Sequence, residues 1–120
     1  MSRPVEDAEI LSVVDPTDSV IGEKRRDEIH LQGLRHRAVH VLVFNPKGAL
    51  FLQKRGKHKV ENPGMWDSSV AGHVDAGESY DECCVREVEE EVGLILDQVP
   101  PRLFKLNASV DTGMEFAWVY

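Results

Sequence analysis

Apolar and polar positions change over every few residues in the first half of the chain, which predicts short strands joined by tight turns. Glu9 to Val14 (EILSVV) reads as a strand. Asp15-Pro16-Thr17-Asp18 follows as a turn, because Pro presets φ and Asp bonds its own backbone. Val20 and Ile21 begin a return strand, so a β-hairpin is expected over about residues 9–24. Arg26 to Gln32 predicts a short helical turn ended by Gly33. Ala38 to Phe44 (AVHVLVF) is the most strand-like run, rich in β-branched residues. Asn45-Pro46-Lys47-Gly48 turns it, and Ala49 to Lys54 returns. Residues 57–64 read as a loop closed by Asn62-Pro63-Gly64, and Trp66 to Ala71 as a short strand.

After residue 78 the period becomes helical. Ser79 and Glu82 form an S-x-x-E capping pair, so a helix is expected from about Tyr80. Val85, Val88 and Val92, with Cys84, predict its apolar stripe. Gly93 suits a left-handed stop. Beyond Pro100-Pro101, Leu103 to Val110 and Glu115 to Tyr120 read as strands joined around Asp111-Thr112-Gly113. Strands on both sides of one long helix imply an α/β fold, a mixed sheet with the helix packed on it.

Composition narrows the class. The 120 residues suit a single domain over 1–120, and 42% apolar content supports a core. No apolar run reaches membrane-spanning length, and MSRPVEDAEI lacks a signal-peptide stretch. Cys83 and Cys84 are adjacent and cannot staple a fold, which points to a reduced, cytoplasmic setting. The net charge of −7 argues against nucleic-acid and anionic-membrane partners. The charge is unevenly spread. Acids crowd Glu78 to Glu91, and bases cluster at Lys54, Arg55, Lys57, His58 and Lys59. A small anionic ligand fits between a metal on the first group and cations from the second. Lys54, Arg55 and Lys59 are the candidate phosphate contacts.

The chemistry is carried by Gly72 to Leu94, GHVDAGESYDECCVREVEEEVGL. On a helix, Glu87, Glu90 and Glu91 are related by i, i+3 and i+4 and share a face. Like charges at those spacings repel, and a hard divalent cation removes that cost. Mg²⁺ prefers oxygen ligands and keeps waters for substrate phosphates, so the segment predicts a magnesium site for diphosphate chemistry.

Gly72, Glu78, Arg86, Glu87, Val88, Glu90, Glu91, Gly93 and Leu94 resemble the signature of the Nudix family over residues 72–94. The resemblance implies an α/β/α sandwich with a mixed sheet. Family members continue with another strand and a C-terminal helix, whereas this chain stops within Phe116-Ala117-Trp118-Val119-Tyr120. A core fragment is therefore expected, with one sheet face partly uncovered and homodimerisation favoured. By resemblance Glu87, Glu90, Glu91 and the Gly72 carbonyl hold Mg²⁺, with Mn²⁺ able to substitute. Arg86 pairs with Glu78 to orient them, and Glu90 is the first choice of general base, with Glu87 also catalytic. The implied substrate is a nucleoside diphosphate linked to another group, or a similar small organic diphosphate.

His30, Gly33-Leu34-Arg35-His36-Arg37-Ala38, Gln53-Lys54-Arg55, Pro63-Gly64, Trp66 and Ser69-Val70-Ala71-Gly72-His73 also resemble type I isopentenyl-diphosphate isomerase and its Nudix relatives. In that isomerase a catalytic cysteine directly precedes the Gly-His pair. Here Ala71 stands there and can neither donate nor accept a proton, which favours hydrolysis. The isomerase's second metal site maps onto His36 and His73, with His30 one residue out of register and Glu115 near one of its glutamates. An isomerase-like protein and a non-catalytic diphosphate-binding module are the alternative readings.

Overall fold

The β-branched residues Val39 and Val41 sit at the centre of the main sheet. The computed structural model describes residues 9–54 and 66–120. β1 (Ile10–Val14) and β2 (Val20–Arg25) pair as an antiparallel hairpin and lead into α1 (Arg26–Gln32). Then come β3 (His36–Val41), β4 (Val43–Phe44), β5 (Leu50–Phe51), β6 (Gln53–Lys54), β7 (Trp66–Asp67) and β8 (Val70–His73). The long helix α2 (Tyr80–Val92), β9 (Phe104–Leu106) and β10 (Glu115–Val119) complete the chain. The main sheet has the order β8-β3-β10-β9. β10 runs parallel to β3, and the other two pairs are antiparallel, so the sheet is mixed.

Side-chain alternation along β3 divides the layers. Val39 and Val41 join Val70, Phe116 and Tyr120 in packing against Tyr80, Cys84 and Val88 of α2. His36 and Ala38 face the other way, toward α1, whose His30 ring lies 5.2 Å from that of His36. A smaller cluster, Leu11, Val13 and Ile29 with Leu34, ties α1 to the hairpin. The sheet thus lies between helical layers, the α/β/α arrangement. No helix among the described residues is long and apolar enough to cross a membrane.

Local chemistry sets α2. Ser79 accepts from the Glu82 N–H at 3.1 Å and the Glu82 carboxylate accepts from the Ser79 N–H at 3.0 Å. Gly93 closes the helix at φ +73°. Its buried face is Tyr80, Cys83, Cys84 and Val88, with Val85 only half-buried. Cys83 thus replaces Val85 in the expected stripe.

The strand expected over Ala38 to Phe44 begins at His36 and breaks at Leu42. There the Leu42 N–H donates to the Tyr120 carbonyl at 2.9 Å and the Val43 N–H to Ser69 Oγ at 2.8 Å. The return strand likewise splits at Leu52, β5 pairing with β4 and β6 with β7. The strand expected over Leu103 to Val110 contracts to Phe104–Leu106, because the chain turns at Ser109.

Asp18, in the hairpin turn, joins three layers. Its carboxylate accepts from Arg37 Nε at 2.7 Å, the Tyr80 hydroxyl at 2.7 Å and Lys105 Nζ at 2.6 Å. Burial raises the Asp18 pKa, but the Lys105, Tyr80 and Arg37 hydrogen bonds outweigh it and hold the carboxyl below its ordinary 3.8. A depressed carboxyl stabilises the fold above its unfolded pKa and loses that contribution as pH falls. Asp18→Ala removes the carboxylate that pairs with Lys105 and Arg37, leaves Arg37 its bond to the residue-18 carbonyl, and should cost about 3–5 kcal/mol in urea unfolding at pH 7. The loss should shrink as the pH is lowered below 3.8.

Candidate functional site

Gly72, on the α2 side of β8, lies directly beneath the Glu87 side chain. A Cβ at residue 72 would collide with the Glu87 Cγ, Cδ and Oε1 atoms. The close approach requires glycine and leaves the Glu87 side chain only 12% exposed. Burial pushes the Glu87 carboxyl up to about 8; Arg86 opposes this, and Glu91 and Glu90 add to it.

Arg86 organises the helix-facing acids. It grips Glu78 with both ends of its fork, Nε to Oε2 at 2.7 Å and Nη2 to Oε1 at 2.9 Å. Nη1 donates to Glu87 at 2.7 Å and to Glu90 at 3.1 Å. Nη2 also donates to the His73 carbonyl at 3.2 Å. Burial raises Glu78, but Arg86 outweighs it and holds that carboxyl below its ordinary value. Burial dominates at Asp75, near Arg86, and raises its pKa. Arg86 therefore spreads one positive charge over Glu78, Glu87 and Glu90. Glu90 is the open member of the trio, its side chain 58% exposed.

Glu91 leans toward the edge of β8 opposite its pairing with β3. Its Oε2 accepts from the Ala71 N–H at 3.1 Å, and its Oε1 from Gln53 Nε2 at 2.9 Å. Glu87 is thus turned inward while Glu90 and Glu91 face solvent, which refines the single acidic face expected from helical spacing. The donor set, carboxylate oxygens with one shared guanidinium, and the cradle over Gly72 fit a hard divalent cation.

The opposite face of the sheet carries a second cluster. Candidate ligand atoms of His30, His36 and His73 all lie within 4.8 Å of one another. Glu115 Oε2 lies 3.2 Å from His36 Nε2 and 2.6 Å from His73 Nε2. The pairings Glu115 with His36 and Ala38 with His73 bring these residues to one end of the sheet. His36, only 1% exposed, has Nδ1 2.9 Å from the Leu34 carbonyl. A carbonyl only accepts, so Nδ1 carries the proton. In a neutral ring the Nε2 lone pair then faces a carboxylate oxygen, an arrangement that a bound cation or a ring proton would relieve. Burial raises the Glu115 pKa, but His36 and His73 overcome it and hold the carboxyl well below its usual range. Burial lowers the His73 pKa against the pull of Glu115. Imidazoles with one carboxylate suit a transition metal. Gly72 and His73 are consecutive, so the two clusters meet across one strand.

Of the expected phosphate contacts, Arg55 and Lys59 lie outside the described residues, as does the Lys54 side chain. Gln53 and Asp75 are site neighbours that motif spacing did not single out. Asp75 lies three residues before Glu78, but nothing in the spacing ties Gln53 to Glu91.

The NUDIX domain family matches residues 34–118. A Streptomyces coelicolor protein described as an uncharacterized Nudix hydrolase is 44% identical over 97 residues, covering 81% of this chain and 54% of that protein. The isopentenyl-diphosphate Delta-isomerase of Serratia proteamaculans is 34% identical over 115 residues, covering 93% of this chain and 64% of the isomerase. A Deinococcus radiodurans crystal structure superposes with a TM-score of 0.79 at 30% identity, over 92% of this chain and 69% of the other. The chain spans about half the length of the Streptomyces relative.

Proposed function

The chain belongs to the Nudix family, in the branch that resembles isopentenyl-diphosphate isomerase, and from that premise we propose that it hydrolyses a diphosphate bond. The substrate class is a nucleoside diphosphate linked to another group, or a similar small organic diphosphate. The observation that carries this reading is the seating of Glu87 over Gly72 beside Glu90 and Glu91, with Arg86 locked to Glu78.

Glu87, Glu90 and Glu91 would hold Mg²⁺, or Mn²⁺ in its place. When bound, the cation supplies charge neutralisation for the diphosphate and a lowered pKa for water. Glu78 fixes Arg86, and Arg86 fixes the direction of Glu87 and Glu90. The exposure of Glu90 supports its reading as the group that takes the proton of the attacking water. Lys54, Arg55 and Lys59 are assigned to the substrate phosphates. A screen of nucleoside diphosphate derivatives and prenyl diphosphates with Mg²⁺ tests the reading. Release of a monophosphate supports it, and binding without any cleavage supports a binding module instead.

The isomerase reading is weakened by Ala71, which offers no proton-transfer group at the position of the isomerase cysteine. The clustering of ligand atoms nonetheless supports a second cation among His30, His36, His73 and Glu115. Purified protein should carry a transition metal measurable by mass spectrometry. Glu115→Gln should lower its occupancy by about tenfold or more. Metal-free protein that also fails to bind added Zn²⁺ or Mn²⁺ at this cluster would refute the assignment.

A further inference from the structure

We infer that Gln53 is a positioning residue that fixes the Glu91 carboxylate. This rests on the reading of Glu91 as a cation ligand. Among the described residues β8 pairs only with β3, so backbone groups along its other edge, and at Ser69 just before it, need partners. Two side chains supply them. The Ala71 N–H donates to Glu91 Oε2 at 3.1 Å, and Gln53 Nε2 donates to the Ser69 carbonyl at 2.9 Å. The same Nε2 donates to Glu91 Oε1 at 2.9 Å and joins the two contacts into one bridge.

Both amide hydrogens of Gln53 are thereby committed, one to the sheet edge and one to the helix carboxylate. A glutamate on an exposed helix face ordinarily samples many rotamers, and ordering it costs side-chain entropy. Here each oxygen has a fixed donor before any cation arrives. Each oxygen keeps a further lone pair, so the bridge does not block a metal. Gln53 is itself anchored, because β6 pairs with β7 through Gln53 and Asp67. The helix thus reaches the sheet edge through two neutral amides, the Ala71 N–H and the Gln53 side chain, which add no charge that would repel a cation.

The test is a Mn²⁺ titration of the full chain, followed by calorimetry and by the Mn²⁺ electron-spin signal. The proteins are the unsubstituted chain, Gln53→Met, Glu91→Gln and the double variant, with thermal melts as fold controls. Gln53→Met should weaken Mn²⁺ binding by about tenfold or more. In the double variant it should add little to the effect of Glu91→Gln, because the two act as one unit. In the unsubstituted chain, added Mg²⁺ should shift the Gln53 side-chain amide resonances in step with binding. This NMR arm decides the matter even if Gln53→Met fails to fold. If Glu91→Gln weakens binding but Gln53→Met does not, Gln53 has no positioning role and the cation reading of Glu91 stands. Additive losses in the double variant, or amide resonances unmoved at saturating Mg²⁺, also overturn the role. If Glu91→Gln binds Mn²⁺ normally, Glu91 is not a ligand and both readings fall.

Discussion

Glu90→Gln is expected to lower diphosphate hydrolysis by roughly 10²–10⁴-fold, the range for loss of a general base. The amide keeps the shape of the side chain and can still accept from Arg86 Nη1, which lies 3.1 Å from Glu90. It cannot take a proton from water. The side chain is 58% exposed, so the melting temperature should hardly move. Steady-state product release at saturating Mg²⁺ checks the effect. Near-normal turnover would move the base to another carboxylate, with Glu87 the next in line.

Gly72→Ala should also abolish most activity, for a steric reason. The new Cβ would occupy the space of the Glu87 side chain, and the backbone of β8 is held by its pairing with β3. The flexible partner is Glu87, so it must move. Moving it costs about 0.5–1.5 kcal/mol of rotamer strain and breaks its 2.7 Å bond to Arg86. The fold should therefore survive with a small loss of stability. Cation affinity should fall by about 10- to 100-fold, since on the proposed reading the displaced group is a ligand as well as an Arg86 partner. Parallel urea unfolding and Mn²⁺ titration separate the two effects. Unchanged affinity in a folded Gly72→Ala protein would show that Glu87 need not lie over Gly72.

Much of the architecture was legible because it is encoded locally. The Ser79–Glu82 cap, the Gly93 stop and the Asp15–Asp18 turn each depend on residues within a few positions. The Arg86–Glu78 pair is expected from the family resemblance, and the two side chains meet at 2.7 Å. What escaped is set by partners distant in sequence. The breaks at Leu42 and Leu52 arise because Tyr120, Ser69 and β7 compete for those backbones. The burial of Glu87 depends on β8 passing under α2, which helical periodicity does not report. Gln53 reaches Glu91 across 38 residues, and Asp18 reaches Lys105 across 87. His36 and Glu115 meet across 79 residues, and only resemblance to a known family put them on one list before the sheet register placed them together.

The proposed hydrolysis requires a cation held by Glu87, Glu90 and Glu91. Calorimetric titration of Mg²⁺ into the chain and into its Glu87→Gln/Glu90→Gln/Glu91→Gln variant addresses it directly, with diphosphate hydrolysis followed on the same samples. The prediction is saturable binding and turnover in the first and loss of both in the second, with the melt retained. A folded triple variant that binds Mg²⁺ and hydrolyses diphosphates at the original rate would contradict it.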